Sequence, residues 1–187
     1  MSASLTVVKI GGSLYDLPDL APRLQVWLKA NAGEAVLLVP GGGGMANVVR
    51  KLDHAHGLGE ERAHWLALRA LSLNAHFLAG LLPLARVIDN PRTAGGWAIL
   101  DCHAFALADE CRADHLPHTW AVTSDSIAAR AAHVAAAQRL VLLKSVTIPD
   151  NISWGDASRR GWVDAWFEQV AGGLTITTMN LRSWPLA

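Results

Sequence analysis

Residues 5–16, LTVVKIGGSLYD, run a strand-like stretch of Val, Leu and Ile straight into glycines, and residues 34–49, EAVLLVPGGGGMANVV, do the same. Short continuous apolar runs of this kind suit parallel strands covered on both faces by helices. Glycine at a strand end gives up packing and adds unfolded-chain entropy, so a bare backbone there points to something that must approach closely. Phosphate is the obvious candidate. A glycine turn that opens a helix offers backbone N–H groups and the positive end of the helix dipole to an anion.

Outward from these two runs the chain alternates. LPDLAPRLQVWLKAN (17–31) has helical spacing, and so do GMANVVRKLDHAHG (44–57) and GEERAHWLALRALSLNAHFLAGLL (59–82), which Gly57 and Gly59 separate. ARVID (85–89), GWAILD (96–101), TWAVT (119–123) and RLVLLK (139–144) read as four more strands, with the alanine-rich helix DSIAARAAHVAAAQ (125–138) between the last two. A helix-like GWVDAWFEQVA (161–171) and a strand-like GLTITTM (173–179) complete the chain. The alternation predicts an α/β architecture, and with no repeat or flexible linker the simplest division is one domain over residues 1–187.

Composition narrows the function. In 187 residues, 51% are apolar and 17% charged, which suits a well-buried core. The 16 basic residues balance the 16 acidic ones, so no overall field favours nucleic acid or an anionic membrane, and an anion must be gripped locally. No secretory signal pattern and no membrane-length apolar run occur, which predicts a cytoplasmic protein without membrane contact. Cys102 and Cys111 are too few for a disulfide framework. With His103, His115 and His118 they match no zinc spacing, and the expectation is a buried thiol pair beside surface histidines, with no metal site.

Four segments carry the chemistry. In KIGGS, Lys9 closes a strand, Gly11 and Gly12 present backbone N–H groups, and Ser13 can cap the next segment. It is neither a Walker loop nor a G-x-G-x-x-G fingerprint, and alone it is matched by a plain strand-to-helix turn. Gly41, Gly42, Gly43 and Gly44 give the second turn the freedom to wrap an anion. Thr123, Ser124 and Asp125 precede the alanine-rich helix, and Lys144 ends another strand, so two lysines converge on one edge of the sheet.

In this order VVKIGGSL, VPGGG, VTSDSIAARAA and LVLLKSV resemble the signature segments of the amino acid kinase superfamily, which includes aspartate, glutamate and uridylate kinases, over roughly residues 5–170. VPGGGGMANVVRKLD with HWLALRA resembles more narrowly the kinases of methanofuran biosynthesis. The resemblance implies a three-layer αβα sandwich with a mainly parallel sheet, the carbamate kinase-like fold, with a compact C-terminal part. Its acceptor-binding part would span about 1–120 and its nucleotide-binding part about 121–187.

It also implies ATP with Mg2+ and a phosphorylated small-molecule acceptor, in the narrower case an aminomethylfuran phosphate converted to its diphosphate. Lys9 and Lys144 would neutralise the transferring phosphoryl group and Asp125 would hold both ammonium groups. Gly11, Gly12, Ser13, Ser145, Asp150 and Trp154 would serve the nucleotide. Gly41, Gly42, Gly43, Gly44, Asn47, Arg50, Thr123 and Ser124 would serve the acceptor, with Arg69 an alternative cation and Trp65 an alternative aromatic wall. The segment after Lys144 is shorter than in many such kinases, which leaves adenine recognition open. Relatives commonly pair through helices of the N-terminal half, so a homodimer or higher homo-oligomer with residues 60–82 at an interface is expected. The other readings are a non-catalytic nucleotide-binding protein of the same fold, or a kinase acting on an amino acid, UMP or isopentenyl phosphate.

Overall fold

β1 (Leu5–Ile10) lies inside a six-stranded sheet in a computed structural model that describes residues 5–30, 35–137 and 139–185. After it come α1 (Leu20–Ala30), β2 (Ala35–Pro40), α2 (Gly43–His56), α3 (Glu60–Leu81), β3 (Arg86–Ile88), β4 (Trp97–Leu100), α4 (Cys102–Asp109), α5 (Ser124–Val134), β5 (Arg139–Lys144), α6 (Trp154–Arg159), α7 (Phe167–Val170) and β6 (Thr175–Asn180). The strand order is β3-β4-β2-β1-β5-β6 and every pairing is parallel. The expected α/β sandwich is therefore present, with a fully parallel sheet among the described residues.

Alternation along the strands builds two cores. Val7, Leu37, Val39, Leu140 and Leu142 face α5, while Val8, Ile10, Val36, Leu38 and Leu143 face α1 and the C-terminal half of α3. Each fully buried Leu or Val contributes about 1.5–3 kcal/mol over its exposed state, so double coverage is what makes an unbroken apolar strand stable. The chain first adds strands on one side of β1 and later on the other. The progression reverses between β1 and β5, and the carboxyl ends of that pair form the crevice where open α/β sheets bind ligands.

Three expectations change. Residues 119–123 form a turn: Val122 N donates to Thr119 O, Thr123 N to the Asp164 carboxylate, and Ala121 O accepts from Trp166 N, so their backbone groups have partners outside any sheet. The helix expected over 161–171 shrinks to α7, because Gly161 takes a positive φ of 69° and Asp164 turns back toward α5. The alanine-rich helix stops at Val134, and Ala136 enters the left-handed region at φ 54°. Asn31 and Gln138, the ends of two expected helices, lie outside the described residues. No helix among the described residues is long and apolar enough to cross a membrane.

Candidate active site

Lys9 on β1, Lys144 on β5 and Asp125 in the first turn of α5 meet beneath the crevice, with only 5%, 7% and 4% of their surfaces exposed. One carboxylate oxygen, Oδ1 of Asp125, lies 2.9 Å from Lys9 Nζ and 2.6 Å from Lys144 Nζ. Lys144 also donates to the carbonyl of Trp162 at 2.6 Å. Burial alone would raise the Asp125 pKa, but the two ammonium groups outweigh it and hold the carboxyl below its ordinary value. Burial, with Lys9 adding to it against the attraction of Asp125, lowers Lys144 to about 8. The group therefore carries two cations and one anion, a net positive charge set at the base of the crevice.

The turn that aims Asp125 is held from elsewhere in the chain. Asp164 accepts from Thr123 N at 3.0 Å, Thr123 Oγ1 at 2.9 Å, Ser126 N at 3.0 Å and Ser126 Oγ at 2.5 Å. It caps α5 in place of the usual local side chain. Sequence reasoning missed Asp164, since a cap supplied from some forty residues downstream leaves no local pattern.

Beside this group opens a cleft of about 470 Å³, which Ser124, the neighbour of Asp125, lines while Lys9, Asp125 and Lys144 themselves do not. It gathers Gly12, Ser13, Gly42, Gly43, Gly44, Asn47, Arg50, Thr123 and Ser124, all expected from the sequence. The first N–H groups of α2 have no intrahelical acceptors, and Gly43 and Gly44, which supply them, line the cleft. The carbonyls of the turn are tied down behind: Asn74 on α3 donates to Gly41 O at 2.8 Å and Gly42 O at 2.9 Å, and Tyr15 donates to Gly41 O. Asn74 is visible in the sequence only as a polar residue inside an apolar helix.

The two glycine turns touch. A Cβ on Gly12 would lie 2.2 Å from Gly43 N, and one on Gly41 would lie 2.4 Å from Gly12 N. Gly43 also takes a φ of 52°, which L side chains resist. Gly44 alone of the four has open space around it. Gly11 and Gly41 sit behind the cleft lining, and the Gly11 N–H donates to Leu143 O at 2.8 Å. That bond pins β1 to β5 and leaves Gly12 and Ser13 as the members of the first turn that face the cleft.

The walls add residues the sequence did not single out. Trp120, in the turn that replaces an expected strand, donates from Nε1 to Asp53 at 2.7 Å, and the Arg50 guanidinium stacks 4.1 Å from its ring centre. Thus Asp53 on α2 and Trp120 fix the angle from which Arg50 addresses the cleft. His64 also lines it; its Nδ1 lies 3.1 Å from Thr119 O, and burial lowers its pKa. Leu68, Leu71, Val122 and Ile127 supply an apolar floor. Arg69 and Trp65 do not line this cleft: Arg69 is exposed, and Trp65 packs on His118 and His103.

The residues expected to serve the nucleotide beyond the glycine turns fall in two places. Ser13 and Ser145 share a 2.7 Å hydroxyl hydrogen bond across the ends of β1 and β5. Asp150 and Trp154 line a second cavity of about 440 Å³ with Ile148, Pro149, Ile176 and Thr178. Trp154 also packs edge-on against Phe167, so it is both core lid and cavity wall. The expected thiol pair does not form: Cys102 is buried at the start of α4, whereas Cys111 is exposed beyond the helix end.

The same architecture recurs in solved structures. The UMP kinase of Bacillus anthracis superposes with a TM-score of 0.64 over 96% of this chain and 88% of that one, at 15% identity. Uridylate kinase from Archaeoglobus fulgidus gives 0.64 over 94% and 90%, and UMP kinase from Ureaplasma parvum 0.64 over 97% and 91%, both also at 15% identity. The fold of this chain is that of the UMP kinases. In sequence, the chain is similar to the [5-(aminomethyl)furan-3-yl]methyl phosphate kinase of Methanocaldococcus jannaschii, 35% identical over an alignment of 131 residues that covers 65% of this chain and 56% of that protein. The matched stretch thus spans little more than half of that relative's length. No protein-family model matches the chain.

Proposed function

We propose that the protein is an ATP-dependent kinase that transfers a phosphoryl group to a small phosphomonoester, and that the acceptor is the aminomethylfuran phosphate named for the similar archaeal kinase. The observation that carries this reading is the pair of buried lysines on one oxygen of Asp125, set at the carboxyl ends of β1 and β5 between two glycine turns. A protein that merely held a nucleotide would have no use for two cations and their organiser at one point. Phosphoryl transfer needs them there, because charge moves onto the bridging oxygen as the bond to it breaks.

In this mechanism an oxygen of the acceptor phosphate attacks the γ-phosphorus of ATP in line while the bond to the β–γ bridging oxygen breaks, and ADP leaves with that electron pair. Lys9 and Lys144 neutralise the transferring group and Asp125 fixes their positions without accepting a proton. Gly12 and Ser13 face the donor phosphates, and Gly43, Gly44 and Asn47 face the acceptor. Arg50, aimed by Trp120 and Asp53, balances the charge the acceptor brings with it. The cavity walled by Ile148, Asp150, Trp154 and Ile176 is assigned to adenine. Magnesium supplies charge neutralisation on the nucleotide phosphates in such reactions. Of the described carboxylates at the cleft and the lysine pair, Asp125 is engaged by the lysines and Asp16 by Arg182, so it would enter on the nucleotide. Exposed Val48 and Leu52 on α2 with Leu73 and Phe77 on α3 support a homodimer through these helices.

An ADP-release screen tests the proposal, with the furan phosphate, UMP, isopentenyl phosphate and amino acids as acceptors, with and without magnesium. The furan phosphate should turn over best. Loss of a charge-assisted contact of about 1.5–3 kcal/mol predicts that Arg50→Ala raises the KM for the acceptor by about 10- to 100-fold and that for ATP far less. Tight ATP binding with no ADP release on any acceptor would favour the non-catalytic reading.

A further inference from the structure

Beyond the cleft, one side-chain cluster plays no part in the proposed reaction. Glu110 stands at the C-terminal end of α4, and His115 and His118 lie on the strap that leads from it to Thr119 and Trp120. Their ligand atoms all fall within 4.8 Å of one another. Oε1 of Glu110 lies 2.8 Å from His118 Nε2 and 3.6 Å from His115 Nδ1. Four-coordinate metal bonds of about 2.0–2.1 Å to nitrogen and oxygen place ligand atoms about 3.3 Å apart, so these two separations bracket the requirement.

From this convergence we infer that Glu110, His115 and His118 form a binding site for a borderline divalent transition-metal ion of the zinc class. Two imidazoles and one carboxylate make a three-ligand set that leaves a fourth position to water. Imidazole ligands select against magnesium, which takes oxygen ligands, so this site is separate in kind from any metal carried by a nucleotide. His118 is preset: only 16% of its side chain is exposed, and its ring packs 4.7 Å from that of Trp65 and 5.5 Å from that of His64. Glu61 on α3 lies 3.9 Å from His118 Nδ1, beyond a hydrogen bond but near enough that a turn of this exposed side chain would let it hold the ring through its second nitrogen. His115 Nδ1 lies 3.1 Å from Leu116 O, a contact only an N–H can make, so ligation through Nδ1 requires this exposed ring to carry its proton on Nε2 instead and to turn from that carbonyl.

The neighbouring Asp109 is not available, because Arg130 and Arg112 engage its carboxylate. Cys111 is exposed beside Glu110 but turns its sulfur toward Ala108 O at 3.3 Å. An ion held here would tie the end of α4 to the strap immediately before Trp120, and so brace one wall of the cleft from behind.

The test uses the full chain freed of metal and titrated with Co2+. One equivalent should give the visible absorption of a four-coordinate ion and quench tryptophan emission. Zn2+ should reverse both changes and Mg2+ should not. His118→Ala and Glu110→Gln should each weaken binding at least tenfold, as should His115→Ala at an exposed position where folding is not at risk. Cys111→Ser should leave it unchanged, and Trp65→Phe should remove most of the quenching. No saturable binding in the parent chain, binding that survives in the histidine and glutamate variants, or binding lost in Cys111→Ser would each overturn the site.

Discussion

Replacing Asp125 by Asn keeps the shape of the buried group and removes the charge between two ammonium ions. Both lysines touch Oδ1, at 2.9 and 2.6 Å, so their nitrogens are at most about 5.5 Å apart. At an effective dielectric constant of about 20, their mutual repulsion is about 3 kcal/mol and the attraction that Asp125 gives Lys144 is about 6 kcal/mol. The Asn amide oxygen still accepts a hydrogen bond, so only part of that attraction disappears. Losing even a third of it, about 2 kcal/mol, lowers the Lys144 pKa by about 1.5.

Lys144 starts at about 8, so in the variant it falls below neutrality and loses its proton in the working range. The sign follows from the charged form being the active one. For the parent, kcat/KM reports the free enzyme and should hold near neutral pH and decline as pH rises through about 8. In Asp125→Asn the decline should begin more than one pH unit lower, with kcat/KM at pH 7.5 reduced on the order of tenfold by the lost proton and restored by acidification. A coupled ADP-release assay across this range, with circular dichroism to confirm folding, measures both. A midpoint identical to that of the parent would refute the charge argument.

Gly12→Ala places a methyl group 2.2 Å from a backbone nitrogen, where no side chain can yield, and should fold poorly or melt many degrees lower. Gly44→Ala enters open space in the first turn of α2 and should melt at or slightly above the parent, while raising the acceptor KM if phosphate approaches there. Calorimetry with initial-rate kinetics separates the two. Asp164→Ala leaves Thr123 N and Ser126 N without their acceptor, at about 1–3 kcal/mol, and should lower kcat with little change in the KM for ATP; Asp164→Asn should restore part of it, whereas equal loss in both parameters would mean a general folding role.

Much of the fold was legible because the strand runs are extreme. LTVVKI, EAVLLV and RLVLLK cannot be stable unless covered on both faces, and they became β1, β2 and β5, three adjacent parallel strands. The lysine pair was legible for a related reason, since a charged residue closing such a run must have a partner at the sheet's edge. TWAVT misled because its alternation is that of a strand, yet Trp120 and Val122 alternate between cleft wall and floor, and the backbone is satisfied by Asp164 and Trp166. Asp164, Asn74 and the Asp53–Trp120–Arg50 stack were illegible for one shared reason. Each joins residues between about thirty and seventy positions apart through a side chain that in sequence looks like ordinary surface or helix filler. The thiols drew His115 and His118 into the wrong grouping, for their common partner is a carboxylate.

The abutting glycine turns also limit how such a protein can diversify. Because Gly12 rests on Gly43 and Gly41 on Gly12, backbone against backbone, neither turn can gain a side chain at these three positions or shift without displacing the other. The pair of turns is in effect a single casting, on which the proposed reaction would bring donor and acceptor together, and substitutions at the contact are refused in pairs. A change of acceptor has to be written in the surrounding walls, at Asn47, Arg50, His64 and Trp120, where side chains reach the cleft from helices and a turn that the casting does not constrain. Descendants of this scaffold would then differ in what they phosphorylate while their two glycine turns stay alike, and a library aimed at new acceptors would begin at those four positions.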